Sequence, residues 1–363
     1  MWEKIKEFNF GVDFAVLQNR INITADAYRR LADGQIMKST VPLETGESSL
    51  TTNIGSVQNA GIELGVNFGV IRNQNFTWDV NVAFARNWSK IKELPSGDDV
   101  SNNWFIGERL NVLRDYTYAG VITADGVTMH TINGDKHYTL QEVYDKYGPK
   151  SPNKLKWYEG QMAVNDWNDD GKINDEDKQI YGCTDPKWTG SLSSTMTYKG
   201  FDFSFMLYTK QGQWSRSYFH EQYMNYGDRG RQKVNFDYYI PAGTPVLDKN
   251  TGDVTYLSEA HIGKYPYPNN TEKTGGGYFS SSSAAVRYHK TSFVKVKNIT
   301  LGYTFPKAWL SKIAVKHLRL YVNVINPFCF TDYEGFDPEW ASANLTNGGP
   351  ASVTYQIGAN IKF

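Results

Sequence analysis

Apolar and polar residues alternate with a period of two along much of this chain. At its end, Val353, Tyr355, Ile357, Ala359, Ile361 and Phe363 share one strand face, and Thr354, Gln356, Gly358, Asn360 and Lys362 share the other. One apolar and one polar face predicts a β-strand. The pattern recurs upstream. Phe8, Phe10, Val12, Phe14 and Val16 alternate with Asn9, Gly11, Asp13 and Ala15, and a new phase begins after Asn19-Arg20 with Ile21, Ile23, Ala25 and Ala27. Ile62, Leu64, Val66, Phe68 and Val70 predict a third strand, and Phe76, Trp78, Val80, Val82 and Phe84 a fourth. Further strands are predicted over residues 188–198, 201–207, 293–305 and 318–324, with weaker candidates at 104–110 and 112–122. The total is about eleven strands in an all-β, antiparallel fold.

The connections alternate in length as well. Short turns fall at Asn19-Arg20, over residues 72–75, near Asn111, at Lys199-Gly200 and over 306–314; residues 31–56, 88–102, 123–187, 212–289 and 328–352 form long connections. Every second connection is long, so the long loops all lie on one side of a meander. Short turns on one side, long loops on the other and strands of about 9–11 residues are the pattern of a transmembrane β-barrel. Closure also removes the unpaired edges that open strands leave, and an odd strand count points to a piece of a larger barrel. A soluble sandwich is the competing architecture, with shorter strands and more evenly spaced turns. The face carrying Asp13, Asp26, Glu63, Asn67, Asp79, Asn81, Gln356 and Lys362 is too polar for a dry core. It suits a water-filled or plugged lumen, with Gly61, Gly65, Gly69, Ala83 and Ala85 leaving room. The strand over 293–305 puts Lys295 and Lys297 in phase with Phe293, Ile299 and Leu301. The expectation is that these lysines stand above the membrane in the loop region; the alternative is a bulge near Asn298.

Residues 166–177 read DWNDDGKINDED. Asp166, Asn168 and Asp170 take positions 1, 3 and 5 of a calcium-type loop, Gly171 position 6 and Asp177 position 12, and Lys172 at position 7 offers its backbone carbonyl. Alternate oxygens converge because the loop wraps the ion, and Gly at position 6 makes the sharp turn. Asp at position 12 is shorter than the usual Glu, so weak, structural Ca²⁺ binding of about 10⁻⁴–10⁻³ M is expected. The alternative is an Asp- and Asn-rich turn closed by its own side chains. No flanking helices are evident, so the segment is no complete EF-hand, and its expected role is to stiffen a long loop.

Composition narrows the function classes. The 363 residues carry 38 Lys+Arg and 38 Asp+Glu, and this neutral balance gives no footprint for nucleic acid. Mean hydropathy is −0.53, and no apolar run approaches the ~20 residues of a membrane-spanning helix; a barrel escapes that test because only alternate residues face lipid. Two cysteines, Cys183 and Cys329, make no disulfide framework and are expected to be unpaired in loops. No nucleophile, triad or phosphate loop stands out, so no enzyme is expected. His130, His137, His220, His261, His289 and His317 show no metal spacing, and Asp332 with Glu334 reads as a loop acid pair rather than a glycosidase pair. Trp214, Tyr218, Phe219, Tyr223, Tyr226, Phe236, Tyr238 and Tyr239 enrich one loop in aromatics. Such residues stack on sugar rings, anchor a partner or pack on one another. The stretch TGGGYFSSSS at 274–283 reads as flexible. Residues 1–7 carry no apolar signal segment, and the expectation is the C-terminal piece of a longer chain.

Several stretches together resemble the SusC/RagA family of TonB-dependent outer-membrane transporters of Bacteroidetes. They are NIGSVQNAGIELGV (53–66), FTWDVNVAFARNWSKIKEL (76–94), DWNDDGKINDEDKQIYGCTDPKW (166–188), YKGFDFSFMLYTKQG (198–212), SFVKVKNITLGYTFP (292–306), LYVNVINPFCFTDYEGFDPEW (320–340) and the terminal Phe363, in that family's order. Cys329 departs from the family's pattern. The resemblance implies a plugged barrel of about 22 strands, of which residues 1–363 supply about the last eleven, the plug domain and first half being absent. It places the chain in a Gram-negative outer membrane, with the long loops extracellular. It implies import of oligosaccharides or peptides together with a SusD-like surface lipoprotein. The TonB complex would act through the missing N-terminal region, and Phe363 would be the signal read by the barrel-assembly machinery. Two other functions compete: a cell-surface binding or adhesion barrel without transport, and a secreted Ca²⁺-dependent carbohydrate-active protein, which would dissolve without detergent.

Overall fold

The computed structural model describes residues 2–40, 49–94, 97–148, 158–223, 237–248, 250–267, 287–311, 314–343 and 351–363. Nine strands form one antiparallel sheet in chain order: β1 (Lys4–Val16), β2 (Ile21–Thr40), β3 (Ser49–Arg72), β4 (Phe76–Glu93), β5 (Trp188–Tyr198), β6 (Phe201–Gln211), β7 (Phe293–Thr304), β8 (His317–Phe330) and β9 (Thr354–Lys362). Directly opposed residues share a face, so pairing carries the alternation of each strand across the sheet. Val12, Ala25, Leu64 and Phe84 lie in one row. Val66, Val82, Leu192 and Leu207 lie in the next, and Leu301, Val322 and Ile357 continue the face at the far side. Among the described residues no second layer covers this face: Phe8 is 71% exposed and Ile357 88%. An apolar face this wide is an aggregation hazard in water and a requirement in lipid. Among the described residues no helix is long and apolar enough to cross a membrane.

The opposite face is polar and internally bonded. Asp26 stands opposite Glu63, and Asn67 opposite Asn81. The Thr77 and Thr197 hydroxyls meet at 2.5 Å. Asn323 accepts from Thr300 at 3.0 Å and donates to Gln356 at 3.0 Å. Arg319 on β8 reaches past β7 to Asp202 on β6, donating from Nε at 2.9 Å. Gly302 lies between them, and a Cβ there would sit 2.5 Å from the Asp202 carboxylate. Each such cross-strand pair contributes about 0.2–1 kcal/mol. The short-turn side is equally local in its logic. Lys199 (φ +45°) and Gly200 (φ +91°) both occupy the left-handed region, as a two-residue hairpin between β5 and β6 requires.

Several expectations are corrected. Among the described residues the sheet has nine strands, against about eleven expected. Residues 104–110 hold no extended strand, and 112–122 divides into two short strands, Val112–Tyr116 and Tyr118–Val121, which pair with Lys178–Cys183 and Met162–Val164 away from the sheet. In the sheet itself β4 pairs directly with β5. The connection at 31–56 is largely strand, because β2 and β3 stay paired as far as Thr40 and Ser49. In β7 a bulge, not height alone, resets the phase. Met206 pairs with Asn298 and Leu207 with Val296, so Lys297 is the extra residue and Val296 regains the apolar face. Both cysteines are free, as expected; Cys329 lies within β8 rather than in a loop.

The insertion between β4 and β5 folds around its own core. Ile122, Val127, Met129, Val143, Tyr147 and Met162 are buried together. Helix α1 (Leu140–Tyr147) begins at Thr139, whose side chain accepts from the Glu142 amide while Glu142 reaches back to the Thr139 amide. This reciprocal cap satisfies two amides that the helix leaves open.

Candidate functional site

All the chemistry that stands out lies on the polar face or on the long-loop side. On the polar face, Thr24, Asp26, Glu63, Gly65, Ala83 and Ser191 line a hollow of ≈ 400 Å³. Of the five small residues expected to leave room, Gly65, Ala83 and Ala85 border this space, whereas the Tyr28 side chain lies over Gly61 and the Arg72 side chain over Gly69.

The segment 166–177 sits inside the β4–β5 insertion. Asp166 is fully buried. Its Oδ2 accepts from Tyr147 Oη at 2.6 Å, from the Gly171 amide at 2.9 Å and from Lys146 Nζ at 3.3 Å, while its Oδ1 has no hydrogen-bond partner. Asp177 is also fully buried and accepts from the amides of Asn174 at 2.8 Å and Asn168 at 3.4 Å. Burial pushes the Asp177 carboxyl above its usual range; the Asn174 and Asn168 amides pull it back, and the neighbouring Asp166 charge adds to the rise. Asn168 Oδ1 accepts from the Asp170 amide at 3.1 Å, and Asp170 Oδ1 from the Lys172 amide at 2.8 Å. Gly171 has φ +82°, the sharp turn expected at position 6. Of the five predicted ligands, Asp166 and Asp177 come together with Asn168 beside them, and Asp170 and Lys172 stay exposed. Among the described residues no three His, Cys, Asp or Glu side chains converge as a metal cage. A helix does reach the loop, through Tyr147 of α1, although it does not flank it in sequence.

A second cluster escaped sequence reasoning. The rings of His220 and His289 stack at 3.6 Å. Ser217 Oγ lies 2.6 Å from both His220 Nδ1 and Tyr333 Oη. Tyr265 donates to Glu334, which also accepts from Lys264 Nζ at 2.9 Å. Burial, then the proximity of His289, depress His220 to about 3, so its ring is neutral near pH 7. Burial acts to raise Glu334, but hydrogen bonds from Lys264 and Tyr265 hold it below the usual carboxylate range. These residues come from four separate chain segments, and no spacing rule links them. The nearby aromatics pack on one another: Phe219 and Tyr239 are buried, and Phe219 meets Phe336 at 4.7 Å. Tyr226, Phe236 and the 274–283 stretch lie outside the described residues, as does the side chain of Tyr223.

A third feature ties the last long loop to the sheet. Lys295 is 3% exposed, and its Nζ lies 2.6 Å from both Asp337 and Glu339. Lys297 joins Glu339 at 2.8 Å. At the other end of the sheet, Phe363 follows β9 and is exposed, its carbonyl accepting from Lys316 at 3.1 Å.

No family model matches the chain. Among curated proteins, it is 29% identical over 392 residues to TonB-dependent receptor P39 of Formosa agariphila, covering all of this chain and 36% of that protein. It is 29% identical over 367 residues to TonB-dependent receptor SusC of Bacteroides thetaiotaomicron, covering all of this chain and 32% of that protein. Among solved structures, the RagAB peptide transporter superposes with a TM-score of 0.68 at 19% identity, over all of this chain and 36% of that one, which bears on the fold. The chain thus spans about a third of the length of the relatives it matches.

Proposed function

As this chain is of the SusC/RagA type of TonB-dependent receptor, a transporter family of the outer membrane, we propose that it builds the last strands of an importer barrel for oligosaccharides or peptides. The single observation that carries this reading is the two-sided sheet: a continuous exposed apolar face backed by a bonded polar one. The first face suits acyl chains and the second a wet passage. The folded insertion and the tied loop at 331–343 supply a stiff extracellular rim on which a SusD-like lipoprotein would sit. TonB and a plug would act through the remaining length of such a receptor, and Phe363 would be presented to the barrel-assembly machinery. The RagAB neighbour is a peptide transporter, which keeps peptides beside oligosaccharides as substrate classes.

The test is made on the tagged protein in cells. Expected are recovery in the outer membrane only with detergent, co-purification of a surface lipoprotein, and TonB-dependent uptake of a labelled oligosaccharide or peptide pool. Recovery as a soluble protein without detergent would overturn the barrel. Correct insertion with no TonB-dependent uptake of either class would overturn transport in favour of a surface-binding barrel.

A further inference from the structure

We infer that the segment 166–177 holds a Ca²⁺ ion that locks the β4–β5 insertion. Such an ion would lock the insertion whether or not the protein transports a substrate. A buried carboxylate oxygen without a partner is expensive, and Asp166 Oδ1 is one. It is not idle for want of donors nearby, since its sister oxygen collects three. That division of labour is what position 1 of a calcium loop needs: one oxygen braced by the Gly amide at position 6, the other left for the ion. A second fully buried carboxylate, Asp177 at position 12, closes the same loop, accepting from the Asn168 amide at 3.4 Å and the Asn174 amide at 2.8 Å. Two buried anions in one enclosure call for a cation. Lys146 supplies one charge, but to the braced oxygen and at 3.3 Å. Lys136 is engaged with Asp169 outside the set.

The proposed ligands are Asp166 Oδ1, the Asn168 side-chain carbonyl, an Asp170 carboxylate oxygen, the Lys172 backbone carbonyl and the Asp177 carboxylate. All are hard oxygen donors, as Ca²⁺ prefers. Ion binding draws the exposed Asp170 inward; Asp166, Asn168 and Asp177 are already held by backbone amides, Asp166 through its other oxygen. The physical consequence follows from what Asp166 touches. Tyr147 ends α1, Lys146 precedes it, and the adjacent Asn165 accepts from the His130 amide at 2.8 Å and donates to Thr117 at 2.8 Å. An ion on Asp166 therefore clamps a helix, a hairpin and a ribbon at one point.

The experiment titrates CaCl₂ into the detergent-solubilised full protein by calorimetry, with Tb³⁺ luminescence excited through Trp167 as a second readout and protease sensitivity of residues 97–187 as a third. Expected is one site with Kd of about 10⁻⁴–10⁻³ M, with slower cleavage when Ca²⁺ is present. Asp170→Ala removes an exposed ligand whose side chain braces only its own loop, and should weaken binding at least about tenfold while the fold stays intact. Asp166→Asn should abolish binding, and Asp175→Asn, outside the set, should change nothing. No binding up to about 10 mM, ten times the weak end of the range, overturns the inference. Equal affinity of Asp170→Ala and the unaltered protein also overturns it.

Discussion

Two adjacent positions on β3 offer a direct test of which face meets lipid. Val66 lies in the row Ile23–Val66–Val82, and Asn67 in the row Asn22–Asn67–Asn81 on the opposite face. Val66 is six residues from the turn end of β3 at Arg72. At about 3.3 Å per residue and a tilt of about 40°, that is roughly 15 Å above the turn. An apolar band about 25 Å tall has its middle near that height. Val66→Arg therefore places a guanidinium near the midplane and should cost about 2–4 kcal/mol, whereas Asn67→Arg enters the wet face and should cost well under about 1 kcal/mol. The same side chain is added at both positions; the residues removed differ in strand preference, Val above Asn, but that difference is at most about 1 kcal/mol and does not reach the expected gap. The assay is equilibrium unfolding of the receptor reconstituted in lipid vesicles, followed by tryptophan fluorescence. Equal costs, or a larger cost at Asn67, would refute the assignment of faces and with it the barrel.

Lys295→Met leaves the buried Asp337 without an ammonium while Glu339 keeps Lys297, a local loss of about 3 kcal/mol that should appear as faster proteolysis within residues 331–343; unchanged cleavage would count against the tie. The histidine cluster predicts an acid-sensitive rim. His220 titrates at about 3 in the fold against 6.5 unfolded, so the unfolded loop binds the extra proton. Stability contributed by the neutral ring is complete above pH 6.5 and is lost progressively as the pH falls towards 3, by up to about 5 kcal/mol. Hydrogen-exchange protection factors of residues 214–220, corrected for the intrinsic rate at each pH, should fall between pH 7 and pH 4, and His220→Phe should flatten the profile. Gly200→Val forces a branched side chain to φ +91°, with a Cβ 2.7 Å from the Thr304 carbonyl. Unfolding should show a loss of at least about 1–2 kcal/mol; an unaffected variant would mean that the turn relaxes freely.

What the sequence disclosed followed from how locally each feature is encoded. The alternation in residues 8–16 or 353–363 needs no knowledge of its neighbours, because one face of the strand meets lipid whatever pairs with it. The extension of β2 through Gly34, Gln35, Ile36 and Met37 was not legible, since beyond the membrane neither face meets lipid and the alternation lapses. The reverse error at 112–122 has the same cause. A short run of strand-forming residues reads the same in a small ribbon as in a barrel wall, and only its partners, Lys178–Cys183 and Met162–Val164, tell the two apart. Asp166 and Asp177 were found because a single loop spaces them. Ser217, His220, Tyr265, His289, Tyr333 and Glu334 were not, because their meeting depends on two long loops folding over the same patch.

The sheet's own edges carry the argument furthest. Among the described residues β1 pairs only with β2 and β9 only with β8, which leaves open ladders over Lys4–Val16 and Thr354–Lys362. In water such edges recruit other chains. In a bilayer they are worse, since each unpaired amide or carbonyl costs several kcal/mol with no water to satisfy it. The apolar residues flanking them, among them Phe8, Phe10, Tyr355 and Ile357, are also among the most exposed in the protein. Lipid contact along both edges and unpaired backbone at those same edges are compatible only if further strands continue the wall on each side. The nine strands are therefore an arc whose stability belongs to the closed barrel, and measurements of its energetics are meaningful only with that closure in place.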